Sequence, residues 1–184
     1  KLPVFNFVAD INSLQLDKLR LMSFTRVANL ACHADIELRG NKIDNLTGNI
    51  ALTNINYRED LTMYHVNRLA VMSSLDPGGS RLVTIESDNV DATFRGKFEF
   101  ETLGEAFKQV IPRYLPALQP LASFKPARQD FEFDIHLKNA ALLTQLFMPG
   151  WYFDANTLVK GNFNSIENSF AFTASSPEVR LNNL

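Results

Sequence analysis

The stretch Val90–Phe100, VDATFRGKFEF, decides how this chain is read. Val90, Ala92, Phe94, Gly96, Phe98 and Phe100 fall on one phase, and Asp91, Thr93, Arg95, Lys97 and Glu99 on the other. Side chains of a strand point alternately to opposite faces, so the pattern predicts a strand with one oily and one charged face. At roughly 3.4 Å per residue it would run about 35 Å, well beyond an ordinary strand. Arg95, Lys97 and Glu99 are expected to face water.

The same alternation recurs on both sides. Val4 to Ile11 place Phe5, Phe7, Ala9 and Ile11 together, and CHADIELRG sets Cys32, Ala34, Ile36 and Leu38 against His33, Asp35, Glu37 and Arg39. In LTGNIALTNINY, Leu46, Gly48, Ile50 and Leu52 share a face. The phase then changes to Ile55 and Tyr57, which predicts a bulge or bend near Asn54. TMYHVNRLAVMSSL reads as a strand, DPGGS (Asp76 to Ser80) as a hairpin turn, and RLVTIESD as the return strand. FEFDIHLK places Phe131, Phe133, Ile135 and Leu137 inward. Three more strands are expected around Tyr152 to Ala155, Thr157 to Phe163 and Ser169 to Ala174. SLQLDKLRLM is ambiguous between a short helix capped by Ser13 and two strand fragments.

After Phe100 the period becomes helical. Leu103, Phe107, Val110, Ile111 and Tyr114 recur at three- and four-residue spacing, predicting an amphipathic helix at about 102–115. Thr102 and Glu105 read as its capping box, and Pro116 as its stop. NAALLTQLFMPG predicts a second short helix capped by Asn139. The fold class is therefore mainly β with a few short helices (α+β), built on a long antiparallel, curved sheet. An internal echo links FNFVADI to FEFDIHL, and RGNKIDNLTGNIALT to KGNFNSIENSFAFT. Ordered recurrence of such units builds elongated, stacked architectures. The expected organisation is a first β unit over 1–116, a Pro-containing connector over 117–130, and the start of a second, related unit over 131–184. The opening KLPVFNF and the closing VRLNNL both read as cut, so the chain is expected to be a piece of a longer protein.

Composition narrows the function classes. The 184 residues are 46% hydrophobic and 21% charged, with a net charge of -2, which gives no electrostatic footprint for nucleic acid. No apolar run approaches the roughly 20 residues that span a bilayer. Cys32 is alone, so no internal disulfide can form. His33, His65 and His136 are far apart and lack metal-ligand spacing, so neither a metal nor another cofactor is expected. PGGSR lacks a nucleophile elbow and GNKIDNLTG lacks a phosphate-loop ending. A hydrolase would need His65 or His136 within reach of a serine and a carboxylate. No reacting constellation is visible, and the chain is read as a non-enzyme. Asn45-Leu46-Thr47 fits the glycosylation acceptor pattern, which matters only in a secretory eukaryotic setting.

What the sequence repeats is Phe-rich strand faces, with 15 Phe against 4 Tyr and 1 Trp. Two predicted helices are too few to cover them, so the sheet either folds on itself or holds a lipid-like ligand. Burying one acyl chain at about 0.8 kcal/mol per CH₂ yields on the order of 10 kcal/mol before ordering costs.

RGNKIDNLTGNIALTNINYRED (39–60) and SDNVDATFRGKFEFETLGEAFKQVIPRYLP (87–116) resemble, in that order, two motifs of the TamB branch of the AsmA-like proteins of diderm bacteria. The resemblance implies a periplasmic β rod or open half-pipe (β-taco-like), tethered by an inner-membrane helix outside this chain. It implies an apolar groove that shields phospholipid acyl chains or client β-strands during outer-membrane biogenesis, with an outer-membrane barrel partner and client membrane proteins. The expected lining is Ile36, Leu38, Ile50, Leu52, Phe94, Phe98, Phe100, Phe131, Phe133, Ile135, Phe170 and Phe172. The alternative is a structural or adhesive β-rich module whose Phe faces form a closed core.

Overall fold

A computed structural model of the chain describes residues 2–15, 28–59, 61–110, 128–141, 143–144 and 151–181, with 107–110 by backbone alone. Six strands come first: β1 (Val4–Gln15), β2 (Ala28–Arg39), β3 (Thr47–Glu59), β4 (Thr62–Leu75), β5 (Arg81–Ser87) and β6 (Val90–Lys97). The helix α1 (Phe100–Val110) follows, and then β7 (Asp130–Leu137), β8 (Trp151–Phe153), β9 (Thr157–Asn164), β10 (Ser169–Ser175) and β11 (Val179–Leu181). One antiparallel sheet takes nine of the strands in the order β1-β2-β3-β4-β5-β6-β7-β9-β10. It is a meander from edge to edge and does not close into a barrel. β8 and β11 form a separate two-stranded ribbon, of which β11 has no counterpart in the sequence reading.

The turns follow local chemistry. In the β4–β5 hairpin Asp76 accepts the Gly79 N–H with its carbonyl at 3.0 Å and the Ser80 N–H with its carboxylate at 2.8 Å. The bend expected near Asn54 is present: the β2–β3 register shifts between Ala31 and His33, and Asn54 has φ 51. Asparagine tolerates that left-handed conformation, and the extra residue turns Ile55 and Tyr57 back onto the apolar face. Between β2 and β3 a 3-10 turn spans Ile43–Asn45. The Asn45 amide group is engaged there with Asn41 and Lys42, an arrangement that uses the acceptor side chain locally.

Three sequence expectations need correction. The opening strand ends at Lys97, not Phe100, because Phe98 and Phe100 leave the sheet to start the covering layer. The helix begins at Phe100 rather than 102, and 111–115 lie outside the described residues. Thr102 is therefore inside the first turn and is not an N-cap. Its hydroxyl instead accepts from Gln129 Nε2 at 2.8 Å, while the Asp44 carboxylate accepts the Phe100 N–H. Ser13 lies within β1, where its hydroxyl accepts from Asn29 at 2.7 Å. The Leu16–Met22 part of the ambiguous segment, most of the expected connector and much of the second helix lie outside the described residues. Asn139 does accept the Ala141 N–H, as a cap would, at 3.1 Å.

The echo between the two ends of the chain survives as topology. FNFVADI lies in β1 and FEFDIHL in β7, and each is followed across the sheet by a two-strand hairpin, β2–β3 or β9–β10. The paired glycines are not equivalent, since Gly40 sits in a turn and Gly161 within β9. All these strands belong to the same sheet.

Candidate functional site

Directly paired residues of neighbouring strands point to the same side, so the register can be followed from edge to edge. One row runs Phe7, Ile36, Ile50, Val71, Ile85, Ala92, Ile135, Val159, Ala174. Every strand contributes one residue and every residue is apolar. The next row on the same face runs Phe5, Leu38, Gly48, Ser73, Val83, Phe94, Phe133, Gly161, Phe172. Across the eight spacings of a nine-stranded sheet this is an apolar band about 38 Å long at ~4.8 Å per strand.

The opposite face is polar. There the row is Asn6, Glu37, Asn49, Met72, Thr84, Thr93, Asp134, Lys160, Thr173, with Arg95, Lys97 and Glu99 exposed as expected. Lys160 pairs with Asp134 at 2.6 Å in an exposed position, and Lys138 with Asp91 at 2.7 Å where both are partly buried. A concavity of about 470 Å³ on this face includes Arg68, Glu86, Asp88, Asp91, Asp134, His136 and Lys138. Its charges are of mixed sign, and His136 meets Asn156 rather than a serine or carboxylate. His65 bonds Asn56 and Asn67, and His33 bonds Asp10. Among the described residues no group of three metal-ligating side chains gathers. No described helix is long and apolar enough to cross a membrane.

The sequence-predicted lining falls mostly on the apolar face. Ile36, Ile50 and Ile135 belong to the all-apolar row, and Leu38, Phe94, Phe133 and Phe172 to its neighbour. Leu52 flanks the band on one side, and Phe131 and Phe170 flank it on the other. Phe98 and Phe100 stand apart from the strands, at the foot of α1.

Burial along this face is uneven. Val83, Phe98, Ala106, Phe131 and Phe163 form a closed cluster, with Val71, Ile85, Phe94, Phe100, Leu103, Phe133 and Phe170 packed on it, so it takes in the middle of both rows. Phe131 sits with Phe98, Phe163 and Phe133 at centroid distances of 5.2, 5.6 and 6.4 Å, in tilted geometries that aromatic rings favour. Cys32, Ile55 and Val66 form a second cluster. Most of the band is half-buried, Val83 and Ala92 in its middle are buried, and its ends open at the sheet edges: Phe5 and Phe7 are each 48% exposed, and Phe172 57%.

Two pKa shifts report on this face. Burial raises the Cys32 thiol above its ordinary value, and burial, then Glu59 and Tyr64, raise the Tyr57 phenol. Tyr57 stacks on its cross-strand partner Tyr64 at 6.1 Å.

Polar residues that the sequence reading passed over fix the position of α1. Arg81 shares the apolar phase with Val83 and Ile85 and is buried. Its guanidinium donates to the carbonyls of Asp44 and Leu46 and to Ser73 Oγ, and its Cζ lies 5.1 Å from the Phe100 ring centroid. Burial lowers its pKa and the Asp44 charge raises it, with burial the larger effect. An arginine remains charged regardless. Gln129, fully buried, accepts the Glu99 N–H and donates to the Glu99 carbonyl and Thr102 hydroxyl. The available signal for Arg81 was a cation in an apolar register. Gln129 had none, because its partners lie far along the chain.

Where α1 meets the band there is a small cavity of about 80 Å³ lined by Leu38, Ile43, Leu46, Gly48, Ile50, Val71, Ser73 and Phe100. No protein-family model matches the chain, and neither a curated protein nor a solved structure matches it significantly.

Proposed function

We propose that this chain is a non-enzymatic segment of a TamB-like cell-envelope protein, whose apolar sheet face shields phospholipid acyl chains during outer-membrane biogenesis in the periplasm. The observation that carries the reading is the uninterrupted apolar row across nine strands, half-buried along most of its length, buried at Ala92 and exposed at both edges. A sheet whose only task was to close a core would bury that row. The ordered motifs at 39–60 and 87–116 supply the family part of the proposal. Inner-membrane anchoring, a barrel partner and client membrane proteins follow from that family likeness alone. β1 and β10, the edges of the sheet among the described residues, also suit a client strand, because an extended segment can add to an open sheet edge through its backbone.

The competing reading is a structural module with a closed core, and the tightly packed Phe98–Phe131–Phe163 cluster favours it locally. Native mass spectrometry of the purified chain, followed by lipid extraction, separates the two. Co-purified phospholipid should be present in the wild type and lost in Ile50→Asp and Ile135→Asp, with circular dichroism unchanged. A wild-type chain that carries no lipid, and takes up none from phosphatidylethanolamine vesicles, leaves only the structural module.

A further inference from the structure

The all-apolar row has a shallow side pocket that is partly open to solvent. In the neighbouring row the side chains shrink at Gly48 and Ser73, between Leu38 and Val83. Gly48 has φ 128, and a Cβ there would lie 2.0 Å from the Glu37 carbonyl oxygen, so the backbone admits only glycine. Ser73 donates its hydroxyl to the Leu46 carbonyl at 3.0 Å and accepts from Arg81 at 2.9 Å, which occupies its polar group. Ile43, Leu46 and Phe100 border the dip, leaving a half-open apolar hollow of about 80 Å³. It has room for the end of a hydrocarbon chain and offers nothing to a headgroup.

We infer that this cavity receives the terminal methyl segment of an acyl chain lying on the row Phe7, Ile36, Ile50, Val71. The inference rests on the acyl-shielding reading above and adds a direction to it. From β1 to β4 is three strand spacings, about 14 Å, shorter than an extended sixteen-carbon chain. The polar end of the ligand therefore emerges at the β1 edge, where Phe5 and Phe7 are exposed, while the tail stops against Phe100.

Two photoreactive palmitate analogues test this, one with a diazirine near the terminal methyl and one with it near the carboxyl. After irradiation with the purified chain, mass spectrometry should place the terminal label on Ile43, Leu46 or Phe100 and the carboxyl-side label on β1. Leu46→Phe fills the cavity. Displacing two methylenes at about 0.8 kcal/mol each should cut terminal labelling at the cavity about tenfold. The carboxyl-side labelling should be unchanged, which also shows that the variant is folded. Terminal labelling at the β1 or β10 edge, or identical patterns from both analogues, overturns the inference and leaves acyl shielding standing. Labelling by neither analogue above a heat-unfolded control overturns both.

Discussion

Phe163 and Phe7 occupy comparable places in the sequence, each in an alternating strand and each on the apolar face, yet Phe163 is fully buried and Phe7 is 48% exposed. Around Phe163 the face is covered: Ala106 of α1 packs in the same cluster, and Phe98 closes the side. Around Phe7 the strand is the sheet's edge among the described residues, and its neighbours Val4, Phe5 and Val8 are exposed as well. Alternation thus sets which face a side chain joins, while a second layer sets whether that face is closed. The two regions divide the molecule into a fixed clasp around α1 and an open band beyond it.

The sharpest way to break this comparison is to truncate one phenylalanine in each region. Phe163→Ala should destabilise the chain by about 3–5 kcal/mol, the usual loss for a large aromatic in a closed core. Phe7→Ala should change stability by less than about 0.5 kcal/mol, as exposed positions do. Urea midpoints at unchanged slope would measure both, and equal effects would erase the distinction.

The clasp itself is tested at Arg81. Arg81→Ala strands the carbonyl of Asp44, which its guanidinium now satisfies, while Leu46 keeps only the Ser73 hydroxyl. The expected loss is about 3 kcal/mol, because the Asp44 acceptor is left without a donor and the buried side chain's packing on Phe100 is lost. Arg81→Lys should recover little, since one ammonium cannot reproduce the guanidinium fork. A smaller change at the same place is Asp44→Ala, which removes the acceptor of the first helical N–H. It should cost about 1 kcal/mol, as for a lost N-cap, and be visible in the same urea titrations.

The smallest expected effects concern the titrating groups of the apolar face. Tyr57 has a folded pKa above its unfolded value, so its contribution to stability is full below the unfolded pKa, near 10, and is lost as pH rises through the folded one. Tyr57→Phe should flatten the alkaline limb of a stability–pH curve. It should be neutral or slightly stabilising at pH 7, because the buried hydroxyl has no hydrogen-bond partner. The raised thiol of buried Cys32 predicts slow alkylation by iodoacetamide in the native chain and ordinary alkylation in urea, since the thiolate is the nucleophile.

Much of this architecture was legible from local pattern. Period-two alternation identified the strands, Asp76–Ser80 identified a hairpin, and the phase slip at Ile55 located the bend at Asn54. The boundary at Lys97 was not legible. Phe98 and Phe100 continue the alternation, and only their packing under α1 with Phe131 removes them from the strand. The same reason hid the true start of α1. Thr102 and Glu105 have the spacing of a capping box, but the first-turn donor at Phe100 is satisfied by Asp44, from a turn distant in sequence.

By itself the sequence determined which side chains share a face, because alternation is a property of the extended backbone and needs no partner. It determined the oily and charged phases of each strand and the residues that form the apolar band. Only the tertiary structure decided that nine strands align those phases in register into one row, that Arg81 and Gln129 clamp a helix over one flank, and that the band stays open at its edges. Pairing and covering depend on contacts between residues far apart along the chain, and the alternation of a single strand carries no information about what will lie across from it.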